Sequence, residues 1–302
     1  MLGAIRQLRA NRRKPNRAPS AVVDARAVVH RARMVKDDAE LALMERAAAI
    51  SAAAHVAAMR ATRPGMNEYE IDALIDYEFR RHGASGPAYT SIVAGGANAC
   101  VLHYTENDQV LRDGDLLLVD AGCELSWYAA DITRTWPVGR TFSGPQRDLY
   151  TLVLAAELAA IEQVVVGATV HGIQAATTRV LTDGLVQLGL LAGDVDGLIE
   201  SGAHRRFYMH GVGHYLGLDV HDVGVVYVDD NVGEPLAPGM VMTIEPGIYV
   251  GPDDADAPEA FRGIGIRIED DVVVTADGPR VLTGGVPKTI EAIEAVRSAM
   301  EE

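Results

Sequence analysis

Four acidic residues stand where apolar runs end. Asp120 closes LLLVD, Asp131 lies in YAADITRTW, Glu245 in GMVMTIEPG and Glu269 in GIGIRIEDD. A carboxylate at the end of a buried strand is costly unless it is paired or bound to a cation. Asp120 and Asp131 are eleven residues apart, and the chain between them is too short for anything but a hairpin, which sets them side by side on adjacent antiparallel strands. Like charges so placed raise each other's pKa unless a metal neutralises them. Ile264, Ile266 and Ile268 alternate with Gly265, Arg267 and Glu269, so Arg267 and Glu269 share a face. Singly, each acid has a plainer use: Asp120 as a turn cap, Glu245 as a partner of Arg267, Glu269 in a solvated run with Asp270 and Asp271. Together they point to a cation.

The stretch FYMHGVGHYLGLDVHDVG, residues 207–224, adds His210, His214 and His221 among glycines and apolar residues. The i, i+4 spacing of His210 and His214 suits one side of a helical turn. Gly211 and Gly213 between them argue instead for a tight loop whose backbone approaches something closely. Three separate core histidines, each hydrogen-bonded, are the plainer alternative. Oxygen-rich donors with a single imidazole favour a hard or borderline divalent ion, Mn²⁺ before Co²⁺ or Zn²⁺, and carboxylates can bridge two ions about 3.5 Å apart.

These groups need a framework of helices and strands. DDAELALMERAAAISAAAHVAAMRAT places Leu41, Met44 and Ala48 on a helical stripe that Pro64-Gly65 ends, and Asn67 opens a second helix to His82 with Ile71, Leu74, Ile75 and Phe79 on one face. His55 and His82 read as ordinary surface histidines of those helices. After a loop-rich stretch from Gly83 to Gly96, strands are expected over 99–104, 115–123 and 130–138, helices over 146–166 and 173–188, strands over 239–249 and 263–275, and a closing helix from Lys288. Helices in two blocks with strands clustered after each indicate an α+β domain with two halves.

At 302 residues and 48% hydrophobic content the chain can bury a large core. No apolar run reaches membrane-spanning length, since Glu157 and Glu162 interrupt the best one, so no membrane partner is expected. Cys100 and Cys123 make no disulfide framework and suit a reducing cytoplasm. The net charge is −15, but residues 1–36 hold ten Lys or Arg against Asp24 alone, a local +9 that leaves −24 for the rest. So acidic a body repels phosphate backbones, and nucleic acid is not an expected partner. Residues 1–35, Arg-rich like an organelle-targeting peptide or a basic arm, are expected to be a partly disordered arm, broken by Pro15 and Pro19, and residues 36–302 the main folded domain.

HYTEN at 103–107, LLVDAGCE at 117–124, DITRTWPV at 131–138, HGVGHYLGLDVHDVG at 210–224, TIEPGIY at 243–249 and RGIGIRIEDD at 262–271 resemble, in order, the motifs of the aminopeptidase P branch of the superfamily of prolidase, creatinase and methionine aminopeptidase. The resemblance covers about residues 33–300 and implies the pita-bread fold with pseudo-twofold halves. It implies two divalent ions held by Asp120, Asp131, His214, Glu245 and Glu269, with Asp131 and Glu269 bridging. His103, His210 and His221 match the substrate-side histidines, and Arg267 and Tyr249 match positions that support the ligands or relay protons. The implied reaction removes the first residue of peptides whose second residue is proline, by attack of a metal-bridging hydroxide, with Glu245 shuttling the proton to the leaving nitrogen. That nitrogen carries no hydrogen, so apolar neighbours suffice, for which Tyr104, Tyr215 and Leu216 are candidates.

Two features differ from the long members of that branch. Only about 35 residues stand here in place of their separate N-terminal domain, and the basic arm or a neighbouring subunit of a homodimer is expected to substitute for whatever it supplies. The loop from Val225 to Pro238 has no Arg or Lys to hold a dipeptide's carboxylate, so longer peptides are favoured. An Xaa-Pro dipeptidase is the alternative, and a non-catalytic peptide-binding member of the fold is a third.

Overall fold

The computed structural model describes residues 2–10, 23–224 and 233–299. Two helices, α1 (Leu2–Arg9) and α2 (Arg26–Met34), occupy the basic opening; the stretch with Pro15 and Pro19 lies outside the described residues, as does most of the loop after Gly224. Helices α3 (Asp38–Ala61) and α4 (Glu68–Arg81) follow. A capping box starts α3: Asp37 accepts from the Ala39 and Glu40 N–H groups at 2.9 Å, and Glu40 accepts from Asp37 N–H at 2.8 Å. By length and composition alone α3 could cross a membrane, but Ala47, Ala54, Ala58 and Met59 seat it in the protein core.

The first strands are β1 (Gly86–Pro87), β2 (Ile92–Gly95), β3 (Leu116–Asp120), β4 (Cys123–Leu125), β5 (Tyr128–Ala129) and β6 (Thr133–Pro137). Then come α5 (Gly144–Glu162), α6 (Val170–Gln187) and α7 (Val195–Glu200). Strands β7 (Val241–Ile244), β8 (Gly247–Val250), β9 (Ile264–Arg267), β10 (Asp270–Thr275) and β11 (Gly278–Val281) precede α8 (Ile290–Ser298). One antiparallel sheet runs β2-β3-β6 and another β11-β10-β7, with β8-β9 as a ribbon and β1-β4-β5 as a small third sheet. Each half thus sets a helix pair before a three-stranded antiparallel sheet, which is the expected α+β arrangement. An isolated β-bridge between Thr133 and Glu269 joins strands of the two halves.

Three expected strands are each broken in two beside an acid, the first of them, 115–123, after Asp120. The stretch 239–249 divides at Glu245-Pro246, and 263–275 divides at Ile268-Glu269. The strand expected over 99–104 is a 3₁₀ turn, Gly96–Cys100, and the strand lies earlier, at β2, within the stretch read as loop. The short run IVAG becomes a strand because β3 offers it a ladder, with Ile92 opposite Asp120. His55 is not a surface residue: it is fully buried, with Nε2 donating to the Ala121 carbonyl at 2.9 Å.

Candidate metal centre

All four acids leave the ends or breaks of strands, and the fold turns them toward one cleft. Asp120 ends β3, Asp131 sits just before β6, Glu245 joins β7 to β8, and Glu269 joins β9 to β10. His214 Nε2 lies 3.4 Å from Asp131 Oδ2 and 3.8 Å from Glu245 Oε1. Ligand atoms of Asp131, His214 and Glu269 all fall within 4.8 Å of one another. Tyr89 ties in Asp120: its hydroxyl is 2.6 Å from Asp120 Oδ1 and also within hydrogen-bond reach of Asp131 Oδ1.

The glycines of the histidine segment find their reason in β7. A Cβ on Gly213 would stand 1.9 Å from the Thr243 carbonyl oxygen, so only glycine lets the two backbones pass. Residues 212–214 then run beside β7: Glu245 N–H donates to Val212 O at 2.8 Å, Thr243 N–H to His214 O at 2.9 Å, and His214 N–H to Thr243 Oγ1 at 3.1 Å. His214 Nδ1 faces the Tyr215 carbonyl at 3.0 Å, which puts the proton there and leaves Nε2 toward the acids. His210 is held alike, by the Gly211 carbonyl at Nδ1 (2.8 Å) and the Tyr249 hydroxyl at Nε2 (2.9 Å).

Arg267 supports the set from below. Its guanidinium donates to Asp120 Oδ2 at 2.7 Å, to the Tyr249 hydroxyl at 2.9 Å and to Thr133 Oγ1 at 3.1 Å, while Thr133 donates to Glu269 Oε2 at 2.7 Å. Burial raises the Glu269 carboxyl far above the ordinary range, with the charges of Asp131, Glu245 and Asp120 adding to it. Burial also lifts Asp131, and it lifts Glu245 to about 7. Burial works against charge on His214, but Asp131 and Glu245 outweigh it and raise the imidazole to about 9. Burial keeps His210 neutral, lowering it to about 4. Carboxylates packed this closely repel one another, and the donor set fits a divalent cation, whose charge would relieve that repulsion.

The cleft has a volume of about 620 Å³; its walls include His103, His210 and His221 beside the acids, with Ala88, Ile92, Leu102 and Val220 as the apolar side. Tyr104, Tyr215 and Leu216, expected as the proline-side neighbours, do not line it. Tyr104 is 7% exposed with its hydroxyl on Glu68, and Tyr215 and Leu216 are packed in the interior at 1% and 0%. Neighbours of a site histidine along the chain turn the other way, into the core. Tyr89, Thr133, Thr243 and Asp271, which accepts from Asp131 N–H at 3.1 Å, were not found from sequence. Thr133, Thr243 and Asp271 carried a signal, each two residues from a candidate acid in a motif, whereas Tyr89 carried none.

The family model for metallopeptidase family M24 matches residues 42–276. The chain belongs to that family. It is 53% identical over 275 residues to an Xaa-Pro aminopeptidase of Haemophilus influenzae, covering 91% of this chain and 63% of the relative. The Xaa-Pro aminopeptidase of Escherichia coli is 49% identical over 296 residues, 98% of this chain and 66% of the relative. The chain therefore spans just under two thirds of the length of each. Among solved structures, the Pseudomonas aeruginosa aminopeptidase PepP superposes with a TM-score of 0.96 at 50% identity, over 99% of this chain and 67% of that one. Zn-substituted E. coli aminopeptidase P in complex with product gives 0.95 at 48%, over 100% and 68%. The pita-bread fold expected from the motifs is the fold of this M24 member.

Proposed function

We propose that the chain is a metal-dependent aminopeptidase that removes the first residue of peptides with proline in second place. The observation that carries this is the convergence of Asp120, Asp131, His214, Glu245 and Glu269 on a cleft also walled by His103, His210 and His221, in a chain about half identical to Xaa-Pro aminopeptidases. Those five residues would hold two divalent ions, with Mn²⁺ favoured by the oxygen-rich set. Ions held there supply Lewis acidity and make water reactive near neutral pH.

Around that chemistry, Glu245 stands within the cleft, 3.8 Å from His214 Nε2 and 3.9 Å from His210 Nδ1, which suits it to pass a proton to the departing proline nitrogen. His221 and His103 would hydrogen-bond the peptide or the developing oxyanion. His210, Tyr249 and Arg267 form a chain of hydrogen bonds that keeps the cleft floor in place. Ala88, Ile92, Leu102 and Val220 offer a proline ring an apolar wall.

The dipeptidase alternative needs a free cation for the product carboxylate. Among the described residues lining the cleft, Arg267 is the cation, and it is already committed to Asp120 and Tyr249. Longer peptides are therefore the preferred substrates; residues 225–232 of the loop without Arg or Lys lie outside the described residues. The complete donor set disfavours a purely binding role. Incubating Mn²⁺-loaded protein with Arg-Pro-Pro and with an Xaa-Pro dipeptide tests this: release of free arginine with slower dipeptide turnover is expected. Intact Arg-Pro-Pro overturns the function, and faster dipeptide turnover overturns the preference.

A further inference from the structure

Arg33 and Lys36, at the end of the basic opening, meet at one buried carboxylate. Arg33 Nη2 donates to Asp219 Oδ2 at 2.7 Å and to Asp222 Oδ1, and Lys36 Nζ reaches Asp222 Oδ2 at 3.2 Å. The side chains of Lys36 and Asp222 are each 1% exposed. The Asp222 N–H donates to the Tyr215 carbonyl at 2.9 Å, and its Oδ1 accepts from Val223 N–H at 2.9 Å. Lys36 is anchored through its backbone as well, donating to the Gly239 carbonyl at 2.9 Å just before β7. Gly217 makes room for this contact: a Cβ there would stand 2.3 Å from Asp222 Oδ2 and 2.9 Å from Lys36 Cε.

Between the two aspartates lie Val220 and His221, both in the cleft wall. His221 packs edge-on to His214, with ring centroids 4.3 Å apart. Residues 216–224 belong to no helix or strand. Backbone hydrogen bonds hold its ends, from Leu216 N–H to the Val241 carbonyl, from Ala129 N–H to the Gly217 carbonyl and from Asp222 N–H to the Tyr215 carbonyl, but no ladder runs along residues 218–221, where the side-chain anchors on Asp219 and Asp222 add the rest. Exposed Asp219 adds little by itself. Asp222 adds more, because removing one partner of a buried pair leaves the other charge uncompensated.

We infer that Arg33 and Lys36 are positioning residues for His221: through Asp222 they latch the 219–222 segment to the end of α2 and the link into α3, and so fix where His221 meets the substrate. What His221 touches follows from the function proposed above; the latch does not depend on it. On this inference the end of the basic opening helps build the cleft wall.

The test uses the full chain with Arg33→Ala, Lys36→Met and Lys36→Arg, the first two also combined with His221→Ala. In metal-free protein, amide exchange over residues 216–224 should rise roughly tenfold in Arg33→Ala and Lys36→Met while Leu116–Asp120 stays unchanged. On Arg-Pro-Pro, kcat/KM should fall roughly tenfold in each, recover in Lys36→Arg, and fall no further when either is added to His221→Ala. Unchanged exchange, acceleration spread over the whole chain, or losses that add to that of His221→Ala would overturn the latch. Should Lys36→Met fail to fold, Arg33→Ala, at a partly exposed site, decides the same question. An inactive wild type would sink the proposed peptidase, while the exchange result would still decide the latch.

Discussion

Arg267 and Asp120 form a buried ion pair, Nη2 to Oδ2 at 2.7 Å, with the two side chains 4% and 13% exposed. The same guanidinium reaches Tyr249 and Thr133, so one planar cation orients an acid, a phenol and the hydroxyl that serves Glu269. A lysine keeps the charge but cannot make this fork. Arg267→Lys is expected to weaken metal binding by about 10- to 100-fold. Competition against a chelating dye measures it, and unchanged affinity would show that the acids orient themselves.

Gly213→Ala puts a methyl group 1.9 Å from the Thr243 carbonyl, a backbone atom with little freedom to yield. The histidine segment must then move off β7, taking His214 with it. A loss of about 2–4 kcal/mol is expected, together with weaker metal binding. Urea unfolding of the metal-free variant checks the first part. Gly211, with nothing nearer than 4.0 Å, should accept alanine better at its Cβ position.

Glu68 is fully buried in the first turn of α4 and accepts four hydrogen bonds: from Gly95 N–H, the Asn98 amide, the Tyr104 hydroxyl and Gln109 N–H, at 2.7–3.0 Å. These donors bracket His103. Glu68→Ala strands them and should cost about 3 kcal/mol. Glu68→Gln, which keeps one acceptor oxygen, should lose less. Thermal unfolding of both variants separates the loss of acceptors from the loss of volume.

His55 supplies a pH dependence outside the cleft. Burial lowers its pKa from 6.5 to about 4, so the folded protein holds it neutral where the unfolded chain would bind a proton. Its contribution is whole above pH 6.5 and is lost as the pH falls toward 4. The stability gap between wild type and His55→Gln should therefore narrow by about 2 kcal/mol between pH 7 and pH 4.5. Urea titrations at those two pH values read it; a constant gap would mean that His55 is not held neutral.

The four acids could be picked out of the chain because a charge closing an apolar run contradicts its surroundings, and that contradiction is local. The glycines around His210 and His214 announced a close approach without saying to what. The helix starts at Asp37 and Asn67 were readable from caps and apolar spacing, whereas β2 was not, since four residues become a strand only when a partner ladder is present. Tyr104, Tyr215 and Leu216 were misplaced because adjacency to a site histidine says nothing about which way the next side chain turns.

Residue types and short-range spacing thus singled out four acids and a histidine cluster as candidate donors, together with the two-part helix-and-strand plan. Only the folded chain decided that Tyr89 stands between Asp120 and Asp131, that Thr133 joins Arg267 to Glu269, and that Arg33 and Lys36 brace the wall carrying His221. Those contacts link residues tens to nearly two hundred positions apart. They depend on how the two halves pack, and no local pattern encodes that geometry.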